Sequence, residues 1–166
     1  ADITPKALTI SGITAANKVY DGTATATIYT TGVTNAALQA GGMVAGDNIT
    51  VASTGTFRNA GNTGNDKNVG NNKTVALSSS YSGDDVGNYT ITDQTTTTAS
   101  ITPAGLRVTG VTAANKVYDT NTGANLTGTA AVTPLSGDSV SVAGTGVTTP
   151  VPFFAAQPRK LQESAT

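Results

Sequence analysis

The sequence predicts an all-β chain: antiparallel β-sandwich or open-barrel repeats in tandem, the second of them incomplete. Three observations carry this. Short runs rich in Val, Ile and Thr are broken by Gly, Asn and Asp, the mark of short strands joined by tight turns. No stretch of the repeated part has helical periodicity, and seven or eight short strands without helices make a sandwich or barrel. The chain also copies itself. Residues 1–21, "ADITPKALTISGITAANKVYD", align without a gap on residues 99–119, "ASITPAGLRVTGVTAANKVYD", at an offset of 98 and with 14 of 21 positions identical. Biased composition alone does not give that.

The elements follow in order. Strands are expected at "ALTIS" (7–11), "KVYDG" (18–22) and "TATATIYT" (23–30), then at "NITVAST" (48–54) and "GTFR" (55–58). "KTVALSS" (73–79), "NYTITD" (88–93) and "TTTASIT" (96–102) complete the set. "TATATIYT" alternates at period two, as a half-buried strand does. Turns fall at "GGMVAGDN", "NAGNTGNDKN" and "YSGDDVGN", where Gly supplies positive φ and Asn or Asp supply side-chain turns.

A second pair of anchors fixes the layout. "GDNITVASTGTF" (46–57) matches "GDSVSVAGTGV" (137–147) at an offset of 91. After that the copies part. Residues 1–5 read as the closing strand of an upstream repeat or as a donor strand, 6–103 as a complete β repeat and 104–147 as a partial second repeat. Residues 148–166 form a non-repeat tail with "PVPFF" and the single Glu of the chain, Glu163. The one helix candidate is "PRKLQESA" (158–165), with Pro158 in its first turn. An unfinished β repeat exposes a strand edge and an apolar groove. Either the tail seals it through Val151, Phe153 and Phe154, or the first strand of a neighbouring molecule, with Ile3 and Pro5, adds to it head to tail.

Composition narrows the function. Charged residues make up 11% and the net charge is −1, so there is no electrostatic footprint for nucleic acid or anionic membrane. No Cys means no disulfide framework and no thiolate metal site, and no His removes the commonest general base. No apolar run approaches the ~18 residues of a membrane helix. "ADITPKALTI" lacks the basic and apolar regions of a signal peptide; a secreted protein would here be a mature or internal fragment. The expectation is a non-enzyme without catalytic residues or cofactor. Paired glycosidase carboxylates find little support among so few acids with no Trp.

Candidate sites each have two readings. Tyr20-Asp21-Gly22 and Tyr118-Asp119 are either a surface that binds sugar or protein through ring and carboxylate, or a strand end. In the second reading, the stronger, Tyr caps the core, Asp accepts turn N–H groups and Gly takes the left-handed position. Thr120 in place of Gly22 then implies a different or longer second turn. Lys18 and Lys116 are either amines for an intramolecular isopeptide bond or, the better reading, solvated lysines that shield a strand edge. The acidic turns at Asp47, Asp84, Asp85 and Asp138 are best read as turn residues. Asp84 with Asp85 is the remaining Ca²⁺ candidate.

The ordered landmarks "KVYDGT", "GDNIT", "DVGNYTI" and "ASITPAGL" resemble the YDG family of bacterial repeats, close to the mostly-β glycine-rich repeats. The resemblance covers 1–103 well and 104–147 in part. It implies a tandem module of secreted surface proteins, including adhesins similar to filamentous haemagglutinin: an extracellular stalk, fibre or biofilm-matrix element at the bacterial cell surface. The partners it implies are other copies of itself, neighbouring repeats, and a host or matrix glycan or protein. The alternative is a carbohydrate- or protein-binding module that uses the Tyr-Asp turns.

Overall fold

The computed structural model describes residues 1–142. The tail residues Val151, Phe153 and Phe154, and the helix expected over 158–165, lie outside the described residues. The described residues divide into two compact units: Ala1–Gly105 with Leu135–Asp138, and Leu106–Pro134 with 139–142.

The first unit runs β1 (Lys6–Thr9), β2 (Thr14–Ala15), β3 (Lys18–Val19), β4 (Thr25–Ala26), β5 (Ile28–Tyr29), α1 (Asn35–Ala40), β6 (Thr50–Phe57), β7 (Gly70–Ser82), a 3₁₀ turn (Val86–Asn88), β8 (Tyr89–Thr92) and β9 (Thr96–Thr102). The main sheet has the order β3-β9-β7-β6-β4, flanked by the pairs β1-β8 and β2-β5. The chain is all-β, and its sheets include a curled half-barrel. Two ladders are parallel, β1 on β8 and β3 on β9, whereas the sequence reading expected antiparallel pairing. The physical reason is chain distance. Parallel neighbours need a long crossover, and tens of residues separate each of these pairs.

Two apolar clusters form the core. Leu8, Ile10, Ile13, Leu38, Met43, Ile49, Val51 and Tyr89 make the first. Ala26, Phe57, Val75, Ala99 and Ile101 make the second, with Tyr20 packed against it. Ile28 and Leu77 touch both. Strand alternation sends Phe57, Val75 and Ile101 inward, while Thr56, Thr74 and Ser100 take the opposite face of the same sheet. Gly55 faces Ile28 and Val75 so closely that a Cβ there would collide with both.

The expected elements shift in telling ways. "NITVAST" and "GTFR" are one continuous strand, β6, because Gly55 stays extended inside the sheet. "TATATIYT" is split: β4 pairs with β6 while β5 pairs with β2. Helix α1 was not expected. Thr34 caps it, its hydroxyl accepting the Ala37 N–H at 3.2 Å, and Leu38 is the residue it buries.

The second unit holds β10 (Val108–Thr109), β11 (Thr112–Ala113), β12 (Leu126–Thr127) and β13 (Ala131–Val132), paired β10-β13 and β11-β12. Its internal register copies the first unit. Ala113 faces Leu126 as Ala15 faces Ile28, both at the offset of 98.

Candidate functional site

The repeated motif is a fastener built around a lysine. β3 sends the Lys18 side chain back under the following turn. Its ammonium donates to Asp21 Oδ1 at 2.7 Å, to the Thr23 carbonyl at 2.8 Å, to Thr23 Oγ1 at 3.0 Å and to the Thr25 carbonyl at 3.0 Å. The same nitrogen lies 5.6 Å from the centre of the Phe57 ring. Only 17% of the Lys18 side chain is exposed. The sequence reading of a solvated, edge-shielding lysine is therefore corrected. Local spacing showed the Lys18–Asp21 pair but not the burial, because the two other main acceptors are the Thr23 and Thr25 carbonyls, groups that any residue supplies.

Asp21 is the other half of the clip. Besides Lys18, its Oδ1 accepts the Thr23 N–H and the Thr23 hydroxyl, both at 2.9 Å. Gly22 between them has φ +79°, a conformation that costs an L-residue. Tyr20 packs its ring on the second cluster and donates its hydroxyl to Asp138 at 2.7 Å, within the first unit. Val19 points the other way and is exposed.

The second unit repeats the clip. Lys116 donates to Asp119 Oδ1 at 2.8 Å and to the Asn121 carbonyl at 2.6 Å, and Asp119 Oδ1 accepts the Asn121 N–H at 3.0 Å. Thr120 adopts φ +62°. The second turn thus keeps the left-handed geometry of the first, contrary to the expectation of a different one; the Lys–Asp clip holds a β-branched residue in it. Tyr118 is 88% exposed. A Gly22→Thr substitution is expected to cost about 1 kcal/mol in thermal denaturation, from backbone strain alone, since a Cβ at Gly22 meets nothing within 4 Å.

The hydrogen bond from Lys18, followed by those from Thr23, lowers the Asp21 carboxyl from 3.8 to about 2. Lys116 lowers Asp119, and Lys73 lowers Asp66. These carboxylates are depressed in the folded state, so their contribution is complete above pH ~4. It is lost as pH falls through the folded values. Acid titration followed by circular dichroism is expected to show stability declining from about pH 4 towards pH 2, with little change between pH 5 and 8. At the alkaline end, burial and the bond to Asp93 raise Tyr81 to about 12.

The remaining candidates are placed as follows. Asp85 Oδ2 accepts the Asn48 N–H at 2.8 Å, and Asp84 is exposed beside it. Asp47 receives the Tyr89 hydroxyl, which in turn accepts the Val44 N–H at 2.8 Å. Among the described residues no three His, Cys, Asp or Glu converge where they could hold a metal ion. Pro5, Lys6, Asp47, Asn88 and Tyr89 line an open cleft of about 390 Å³. Ile3 is wholly exposed, and residues 1–5 form no strand. Among the described residues no helix is long and apolar enough to cross a membrane.

Sequence reasoning missed Gln94. Its amide accepts the Ile13 N–H at 3.0 Å and donates to the Ile13 carbonyl at 2.7 Å, tying the loop after β1 to the loop before β9. One glutamine among threonines gave no signal of this.

Fold and clip together define a small all-β repeat domain closed by one Lys–Asp turn per copy. The chain belongs to the YDG domain family, whose sequence pattern matches residues 4–98 and again 102–151. No curated protein and no solved structure matches the chain.

Proposed function

We propose that the chain is a structural repeat module of a bacterial extracellular adhesin, stalk or fibre, held at the cell surface, whose copies join head to tail by strand complementation. One observation carries the reading. The signature lysine and aspartate are spent on the fold, in both copies and in the same way: Lys18 and Lys116 each lock an aspartate and a turn carbonyl. A tandem array uses such a corner once per repeat, because the stability of each repeat adds its own internal contacts to those with its neighbours. Low charge and a sheet face of Thr and Ser give a hydrated, inert exterior. The work is mechanical.

A carbohydrate- or protein-binding module using the Tyr-Asp turns is the other reading. It is the weaker one, since the Asp21 carboxylate and the Tyr20 hydroxyl are both already engaged. X-ray scattering or electron microscopy, with a glycan array beside it, tests the choice. Rods or filaments with no glycan bound are expected. A compact monomer with a glycan signal that Tyr20→Phe abolishes would overturn the proposal.

A further inference from the structure

We propose that the second copy is an acceptor for residues 1–5 of another molecule of this chain, with Ile3 opposite Lys116 and Thr4 opposite Val117 in a parallel ladder. This deepens the structural-module reading and rests on it.

The first unit supplies the template. There β9 lies parallel to β3, with Ile101 opposite Lys18 and Thr102 opposite Val19. Three bonds fix the register. The Ser100 N–H donates to Asn17 Oδ1 at 2.7 Å, the Tyr20 N–H to the Thr102 carbonyl at 2.8 Å, and Thr102 Oγ1 to the Lys18 carbonyl at 3.3 Å. Every side chain in that set recurs at the offset of 98. Asn115-Lys116-Val117-Tyr118 repeats Asn17-Lys18-Val19-Tyr20, and Ala1, Ile3, Thr4 and Pro5 repeat Ala99, Ile101, Thr102 and Pro103. The one change, Asp2 for Ser100, keeps the backbone N–H that Asn17 accepts and puts a carboxylate where the Ser100 hydroxyl accepts the Asn72 N–H of β7 at 3.1 Å.

Burial marks both halves as unpartnered among the described residues. Ile101 is 0% exposed and Ile3 is 100% exposed. On the acceptor side, Tyr20 is half-buried against the second cluster, whereas its counterpart Tyr118 is 88% exposed and Val117 beside it is 88% exposed. The acceptor is also formed in advance. Ala114 N–H donates to the Asn125 carbonyl at 2.8 Å, just as Ala16 N–H donates to Thr27 at 2.9 Å. The clip at Lys116 holds the strand end in the same turn. An edge already in register loses little freedom when a strand adds to it. Few ladder bonds form, so a single contact is weak and repeated copies gain by avidity.

The test uses the chain carrying Ile3→Asp, ¹⁵N-labelled, as an acceptor that cannot donate. Ile3 is fully exposed, so the substitution leaves the fold intact. A synthetic peptide with the sequence of residues 1–7 is titrated into it. The Val117 and Tyr118 amides are expected to shift saturably and to gain about tenfold protection from hydrogen exchange. The same peptide with the I3D change is expected to shift neither. The unsubstituted chain is expected to sediment faster as concentration rises, and the I3D chain is not. Unshifted Val117 and Tyr118 amides, or self-association unchanged by I3D, would overturn the proposal. An elongated chain that binds no glycan and exchanges no strand would reject this inference, and with it assembly by strand complementation, and leave the stalk or spacer reading standing.

Discussion

Phe57→Ala is expected to cost the first unit about 4 kcal/mol, the typical loss when a buried aromatic is truncated. Phe57 is 0% exposed at the end of β6, among Ala26, Val75, Ala99 and Ile101. Those neighbours are held by three different strands of one sheet, so they cannot collapse into the space left behind. The residual cavity therefore adds to the lost transfer free energy. The ring also lies under the Lys18 ammonium, and that attraction goes with it. Urea denaturation checks this as a lower midpoint at an unchanged slope. Phe57→Leu, which refills most of the volume, is expected to lose less than half as much.

Lys18→Ala is expected to cost about 2 kcal/mol. The ammonium serves four acceptors, and hydrogen bonds from a charged donor exceed neutral ones. Its mostly buried stem also covers the second cluster. The discount is that Asp21 is about half exposed, so water takes over part of the pairing. Lys116→Ala removes the same clip from the second unit, where the lysine is twice as exposed. Its expected effect is under 1 kcal/mol. Lys18→Met separates the two contributions: it keeps the stem, drops the charge and is expected to recover part of the loss. The same denaturation series reads all three.

Where one local pattern decided the outcome, sequence and structure agree closely. "TTTASIT" became β9 residue for residue: buried Ala99 and Ile101 alternate with Ser100 and Thr102, and Pro103 ends the run. The all-β class followed from strand patterning and repetition, and the family from the resemblance of four ordered motifs, "KVYDGT" to "ASITPAGL". What stayed hidden was long-range. No local pattern says that β3 pairs with a strand some eighty residues later, or that the pairing is parallel. β7 runs for 13 residues through Ser and Asn that have weak strand preference, because β6 and β9 pair along it. Helix α1 is a single capped stretch whose one buried residue, Leu38, is too little for periodicity to register. At the site, the turn chemistry of Asp21 and Gly22 was open to inspection because turns are local. The reach of Lys18 was not, since a long flexible side chain has no spacing rule for backbone acceptors.

The central claim is that Lys-Val-Tyr-Asp fastens a corner of each repeat. A double-mutant cycle on Lys18 and Asp21 by urea denaturation tests it most directly. If the two act as one clip, Lys18→Ala and Asp21→Ala each destabilise the first unit, and the double variant loses clearly less than the sum of the two. Single variants as stable as the parent, or losses that simply add, would contradict the account and return the motif to the surface as a site for a ligand.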